Sequence, residues 1–434
     1  MGSAVMVVAP LTGGECPGGS MPIAPETKRV HMSARRVLAG SVAALLLPAS
    51  LLLTTEIGSA NDSDPSAQAA AKSSVFTKKA GQKISLEVLP QIVQQGKRPA
   101  SANAAKGSVI ATLKPVKVGR KVTLEVQQGS KWKKAGTAKQ EKSGKAYFRA
   151  NVSKGGLPLT YRVTANKLGN LKKVSSKSQD TSAWVTPTFT DEFSGSVLSP
   201  VWSMRGQDYE AQSKRLCSKG SPEAVKVGGG TLRLSVIKDK SRSDKCTAVS
   251  RKKKQKISYR LNGHVGTADA FSFRYGVAAA RIKMQQSRGQ HASFWLQPIG
   301  ENQPGSDGHE IDVIEYFGDK HPQGGLTSFI HWYKGQRLIK TGSWIKNSES
   351  FLKNKKDGWS KNYHVFSVQW TPKAISMYID GKETWRTSAR VSKAQQYLIL
   401  SMLASDYEAL EMKDSKLPQS MDVDWVRVWE TPQP

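Results

Sequence analysis

Cysteine is scarce in this chain: three in 434 residues. That excludes a small scaffold stapled by several disulfides, and no Cys/His spacing of a zinc site occurs, the seven histidines being scattered. Acid is scarce too, 34 Asp and Glu against 65 Lys and Arg, which leaves a formal net charge of +31 and a pI of about 10.0. Such a balance points to a polyanionic neighbour: nucleic acid, an anionic cell wall or an acidic polysaccharide. It does not choose among them, and a merely solvated surface reads the same way. Gly228-Gly229-Gly230 lacks the Lys-Ser/Thr of a phosphate loop and reads as a turn, and no nucleophile elbow is present. Beyond Leu53 no apolar stretch is long enough to cross a membrane.

The length allows two or three domains. Residues 1–31 carry no fold signal. Met32 opens Met-Ser-Ala-Arg-Arg, an apolar run follows from Val37 to Leu53, and small residues reach Ala60. This basic, apolar, small-residue order over 32–60 reads as a signal peptide, with cleavage after Ala60 or Ala69 and Met32 as the natural start. An uncleaved anchor is the alternative, although Pro48 interrupts the run. Export makes a disulfide permissible. Cys16 falls upstream of the signal, so Cys217 and Cys246 remain as an even pair and read as one bridge, with two free thiols as the alternative.

Residues 61–105 read as a linker and basic segment. Between Lys72 and Asp180 there are 24 Lys or Arg and 4 Asp or Glu, so most of the net charge lies in this quarter of the chain. Within 106–182, strand signals alternate with Gly- and Ser-containing turns: Val122 to Val126, Lys145 to Arg149, Leu159 to Val163. They predict a small β-sandwich. Trp132 among Lys131, Lys133 and Lys134 could be a stacking platform for nucleic acid, but an edge strand blunted by lysines has the same pattern. For an exported protein an anionic wall polymer is the better partner, and nucleic acid is not expected.

From residue 183 to 431 the composition is that of an ordinary globular domain. Val225 to Val236 is an alternating strand, a glycine turn and a second alternating strand, and Asp380-Gly381 signals a tight hairpin. Arg251-Lys252-Lys253-Lys254 reads as a solvated loop. The informative stretch is Gly308-His309-Glu310-Ile311-Asp312-Val313-Ile314-Glu315-Tyr316. On a strand, Glu310 and Asp312 share a face and Ile311 and Val313 share the other. Glu315 has the wrong parity, and an unpaired buried Glu is costly. One extra residue, a bulge near Val313-Ile314, returns it to the acidic face. Glu310 and Glu315 then stand about four strand positions apart, which brings their carboxyls to roughly 5–6 Å, the spacing of a retaining glycosidase and too short for the water of an inverting one.

This E-I-D-x-x-E run resembles the bulged signature of glycoside hydrolase family 16, found in laminarinases, agarases and carrageenases. The likeness extends to Phe189-Thr-Asp-Glu-Phe-Ser-Gly195, to His291-Ala-Ser-Phe-Trp-Leu-Gln-Pro298 and to the closing run Met421-Asp-Val-Asp-Trp-Val-Arg-Val-Trp429. It implies an all-β protein: a concanavalin-like jelly-roll catalytic domain behind a smaller N-terminal β-sandwich, itself similar to immunoglobulin-like modules of secreted bacterial proteins. It implies Glu310 as nucleophile, Glu315 as general acid/base and Asp312 as assisting carboxylate. Trp295, His331 and Trp332 are the expected sugar contacts. No cofactor is expected for catalysis. A structural Ca2+ would fall to Glu192, Gly230 and Asp424. The implied function is a secreted, monomeric, retaining endo-β-glycosidase of a β-1,3-glucan or related glucan. The alternatives are a transglycosylase, a galactan- or agar-type hydrolase, and a non-catalytic polysaccharide-binding protein. The chain departs from laminarinases at His291-Ala292, where they carry Trp-Pro, at Ala279, where they often carry Glu, and before the catalytic strand, where Gln303-Pro-Gly-Ser replaces a Trp-Pro loop.

Overall fold

In the computed structural model, residues 81–431 are described, apart from 211–213, 251–252 and 301. The expectations for 1–31, for the signal peptide and for Cys16 lie outside the described residues. The larger part of the fold is a β-sandwich whose two sheets close on each other through Arg260–Gly266. One sheet runs Arg260–Gly266, Gln396–Leu403, His291–Pro298, Glu310–Tyr316, Leu326–Lys334, Arg337–Trp344, each antiparallel to the next. Its central strand is thus the acidic one. The opposing sheet is built on Thr231–Lys238, Gln419–Glu430, Gly276–Lys283, His364–Thr371 and Ala374–Ile379. Between them lies an apolar core that includes Phe294, Ile311, Ile330, Phe366, Trp370, Leu398 and Val426, all less than 2% exposed. This is the all-β jelly-roll architecture that the sequence implied.

Gly276–Lys283 is buried on both faces, and alternation says why. Ala278, Ala280 and Ile282 face the sandwich core, while Val277 and Ala279 belong to a second apolar cluster with Val365, Tyr378, Trp425 and Trp429. The rest of that second cluster comes from the N-terminal module: Leu89, Ile92, Val93, Val109, Ile110, Leu124 and Val163 among others. The module is itself two sheets. One is Lys83–Val88, Gly107–Lys114 and Lys145–Ala150; the other carries Gln179–Asp180, Thr160–Ala165, Lys121–Gln128 and Lys131–Lys139. The small β-sandwich is therefore present, but it shares its hydrophobic core with the outer face of the opposing sheet, the one without the acidic strand. Burial of Trp425 and Trp429 here contributes about 1.5–3 kcal/mol per side chain, and Ala279 stands where a Glu would be trapped under the module.

The expected linker over 61–105 is corrected for its second half. Lys83–Val88 is a strand paired along its whole length with Gly107–Lys114. Residues 89–105 then run along the outer face of this opposing sheet, held by polar contacts. Gly96 and Tyr363 exchange backbone hydrogen bonds at 3.2 and 2.7 Å. Arg281 Nε donates to the Gln94 carbonyl (2.7 Å), and Trp425 Nε1 donates to Gln94 Oε1 (2.7 Å). The backbone is so close at Gly381 (φ +76°) that a Cβ would lie 2.6 Å from Val93 Cγ2 and 2.7 Å from Ser108 Cβ. Glycine is required there twice over, by conformation and by space.

On the module's far side, Trp132 does not offer a bare ring. The Arg162 guanidinium covers it at 4.4 Å, and Arg162 is paired with Glu125 at 2.9 Å. Lys131–Lys139 ends its sheet as an edge strand with Lys131, Lys133 and Lys134 exposed, the blunted-edge arrangement.

Candidate active site

The bulge forms where parity demanded it. Across Leu326–Lys334, Asp312 pairs with Phe329 but Glu315 pairs with Thr327, so three residues on one strand span two on the other. On the opposite side Trp295 pairs with Asp312 and Phe294 with Ile314, leaving Val313 as the inserted residue. Ser328 Oγ donates to the Val313 carbonyl at 2.8 Å and fixes the kink. Ile311, Val313 and Ile314 enter the core, and Glu310, Asp312 and Glu315 all line one cleft of about 560 Å3.

Asp312 is buried and lies 3.0 Å from His331 Nε2. His331 is the cross-strand partner of Glu310, and one donor atom of each of Glu310, Asp312 and His331 lies within 4.8 Å of the others. Thr327 Oγ1 donates to Glu315 Oε2 at 2.9 Å, which orients that carboxyl. Burial, and then the Asp312 charge, push the Glu310 carboxyl up to about 8. Burial and the Glu315 charge hold Asp312 well above the usual carboxylate range. Glu310 and Asp312 thus hold their protons to higher pH than isolated carboxyls would.

Trp295 lines the cleft beside the acids, its Nε1 donating to Ser401 Oγ at 3.1 Å, and His331 lines it as well. Trp332 does not. It follows His331, so the pleat turns it inward, where it is 8% exposed, bonds Thr341 Oγ1 and lies under the Arg390 guanidinium. The expected sugar contact at Trp332 is corrected to a core residue.

The Ca2+ ligand set does not fit. Both oxygens of Asp424 accept the Ala100 N–H at 3.2 Å, and its Oδ2 also takes the buried Arg281 guanidinium. Glu192 is held by Arg427 (2.9 Å) and by the Ala102 N–H. Gly230 sits in an open turn with φ +72° and nothing within 4 Å of a Cβ position. Arginine guanidinia and the backbone of the N-terminal module take the oxygens that a cation would need.

Other cleft residues were not legible from the sequence. His291 is buried against Glu408. Burial alone would lower its proton affinity, but that carboxylate prevails and raises it. His264 stacks beside Trp295 at 6.1 Å. Burial and the neighbouring Arg205 hold it neutral, well below the usual histidine range. Its Nε2, and Ser293 Oγ opposite Glu315, have no hydrogen-bond partner among the described residues although both are buried. Arg205 bridges Tyr397 and Gln297 at 2.8 Å each. The departure at His291 from the laminarinase pattern was the one signal that pointed to this side of the cleft. Cys217 and Cys246 form the expected disulfide.

Residues 225–427 match the family described as Glycosyl hydrolases family 16. A keratan-sulfate endo-1,4-beta-galactosidase of Sphingobacterium multivorum is 26% identical over 257 residues, covering 56% of this chain and 55% of that protein. Glucan endo-1,3-beta-glucosidase A1 of Niallia circulans is 26% identical over 188 residues, 39% of this chain and 26% of that protein. The chain thus spans about half the length of the first relative and a quarter of the second. Among solved structures, the laminarinase catalytic domain of Thermotoga maritima aligns with a TM-score of 0.45 and 18% identity, covering 57% of this chain and 99% of that one.

Proposed function

From the family 16 glycosyl hydrolase domain at residues 225–427, we propose that this protein is a secreted, retaining endo-β-glycosidase. Glu310 attacks the anomeric carbon while Glu315 protonates the leaving oxygen. Water, activated by Glu315, then releases the sugar from Glu310. Asp312, held by His331, keeps a third carboxyl beside the nucleophile and takes no bond to the sugar. Trp295 offers its ring as a platform in the same cleft. The observation that carries the reading is the Val313 bulge, which brings Glu310, Asp312 and Glu315 into one cleft. A non-catalytic binder has no need of that arrangement.

The substrate is proposed as a β-1,3-glucan or a β-galactan. The galactan is favoured by His291, which stands where laminarinases carry Trp and is committed here to a buried pair with Glu408. Laminarin, mixed-linkage glucan, agarose, carrageenan and a galactan are the panel to screen, with the anomeric form of the first product followed by NMR. A product of inverted configuration would sink the double-displacement reading, and transfer to added sugar acceptors in place of hydrolysis would make the enzyme a transglycosylase. We further propose that the exposed lysines of the module, Lys131, Lys133 and Lys134 among them, retain the enzyme on an anionic wall polymer. Retention of wild type and of the triple Lys→Gln variant on purified cell wall, at low and high salt, tests this. Equal retention would refute it.

A further inference from the structure

A second cavity of about 700 Å3 adjoins the catalytic cleft. Tyr407 lines both, and His291 on the cleft side stacks at 5.2 Å on Phe317 on the cavity side. One wall is aromatic. His321 stacks flat on Trp344 (4.4 Å, 13°), and Phe317 packs at 5.2 Å from the same indole. The facing wall comes from the hairpin Lys245–Ser250 and Lys253–Ser258, which is paired only with itself and belongs to neither large sheet.

That hairpin is not a loose loop. The Cys217–Cys246 disulfide ties its first strand, and Cys246, Ala248 and Ile257 pack with Ala409 in a small apolar cluster. The Ser258 N–H donates to Asp414 (2.9 Å), and Ser250 Oγ donates to the Tyr407 carbonyl (2.6 Å). Lys253 and Lys254, which read in the sequence as part of a solvated loop, are therefore held beside the cleft on this hairpin.

The charge of the cavity is one-sided. Its acids are already spent, Glu408 on His291 and Glu411 on Arg288 at 2.6 Å. Lys253 and Lys254 are exposed, line the cavity, and have no acidic partner among the described residues. Burial and nearby Arg288 keep His321 below the usual histidine range, so the aromatic wall stays neutral and the lysines supply the charge.

Resting on the hydrolase reading above, we propose that this cavity is a further sugar-binding section of the cleft. It takes an anionic sugar unit, sulfated or carboxylated, of the same polysaccharide chain that is cut at Glu310. Lys253 and Lys254 pair with the anionic group, and the Trp344–His321–Phe317 wall packs against the ring. The disulfide's role is to hold the lysines at that distance from the acids.

The test uses the full, disulfide-bonded chain and three polymers: a sulfated galactan, its chemically desulfated form and a uronate-containing polysaccharide. Binding is read by affinity electrophoresis and cleavage by reducing ends. The wild type is expected to bind an anionic polymer more tightly than the desulfated one. Lys253→Gln/Lys254→Gln is expected to reduce that preference about tenfold, the size of two partly exposed ion pairs, and 0.5 M salt to reduce it in the wild type. A gain on the sulfated polymer alone assigns sulfate, and a gain on the uronate polymer alone assigns carboxylate. Trp344→Ala is expected to weaken binding of charged and uncharged polymers alike. An unchanged preference in the double lysine variant overturns the proposal. Binding with the expected preference but no cleavage of these polymers or of the substrate panel above refutes the hydrolase reading and leaves the cavity standing. Cleavage with no preference refutes the cavity alone.

Discussion

Glu310→Gln separates two consequences of one carboxyl. The Glu310 carboxyl is pushed from 4.5 up to about 8, first by burial and then by the Asp312 charge. In the unfolded chain it ionises near the ordinary value, so between these two values the folded state binds the extra proton. Stability is therefore fully present below about pH 4.5 and declines as pH rises toward 8. The full shift corresponds to about 5 kcal/mol at 1.36 kcal/mol per unit. The carboxyl opens on the cleft, and solvent there reduces this to about 2–4 kcal/mol. Glutamine has the same shape and no charge to desolvate. Glu310→Gln is thus expected to match the wild type at pH 4 and to exceed it at pH 8 by about 2–4 kcal/mol, or roughly 3–5 °C in Tm, while turnover falls by several orders of magnitude. Thermal unfolding of both proteins at half-unit steps from pH 4 to 8, beside turnover at each step, is the assay. Stability curves that stay parallel across that window would refute the claim that the site stores this charge at Glu310. Near-normal turnover would refute its role as nucleophile.

Glu315→Gln is expected to lose turnover by several orders of magnitude, and Asp312→Asn to lose less. Because Asp312 is the largest charge acting on Glu310, Asp312→Asn should also move the acid limb of kcat/KM to lower pH; an unmoved limb argues against that coupling. Reduction of Cys217–Cys246 is expected to cost about 3–4 kcal/mol for a loop of this length, checked by denaturant unfolding with and without reductant. Gly381→Ala is expected to destabilise the joint between the module and the sheet opposite the catalytic strand, because its Cβ meets Val93 and Ser108 at under 3 Å; hydrogen exchange at residues 89–110 that matches the wild type would show the joint unaffected. Removal of residues 81–182 is expected to give insoluble protein, since it bares Val277, Val365, Trp425 and Trp429; a soluble, active truncation would show that the shared core is dispensable.

The sequence by itself determined the catalytic strand. Period-2 alternation and the cost of burying a charge required a bulge between Asp312 and Glu315, and pairing on both sides places it at Val313. The Asp380-Gly381 hairpin and the cysteine pairing were local or countable, and so legible. Tertiary packing decided what depended on partners far along the chain. Trp332 and His331 are neighbours with similar chemistry; parity separated their faces, but only the sheet's position assigned one face to the cleft and the other to the core. Asp424 and Glu192 had the oxygens for a cation, yet Arg281, Arg427 and residues 100–102 took them. Val277 and Ala279, on the side of the strand away from the sandwich core, gave no sign that a basic module would cover them. That module looked separable because its surface is charged, and charge reports on solvent-facing residues. The apolar face that joins it to the sheet opposite the catalytic strand shows only when both halves of the interface are folded.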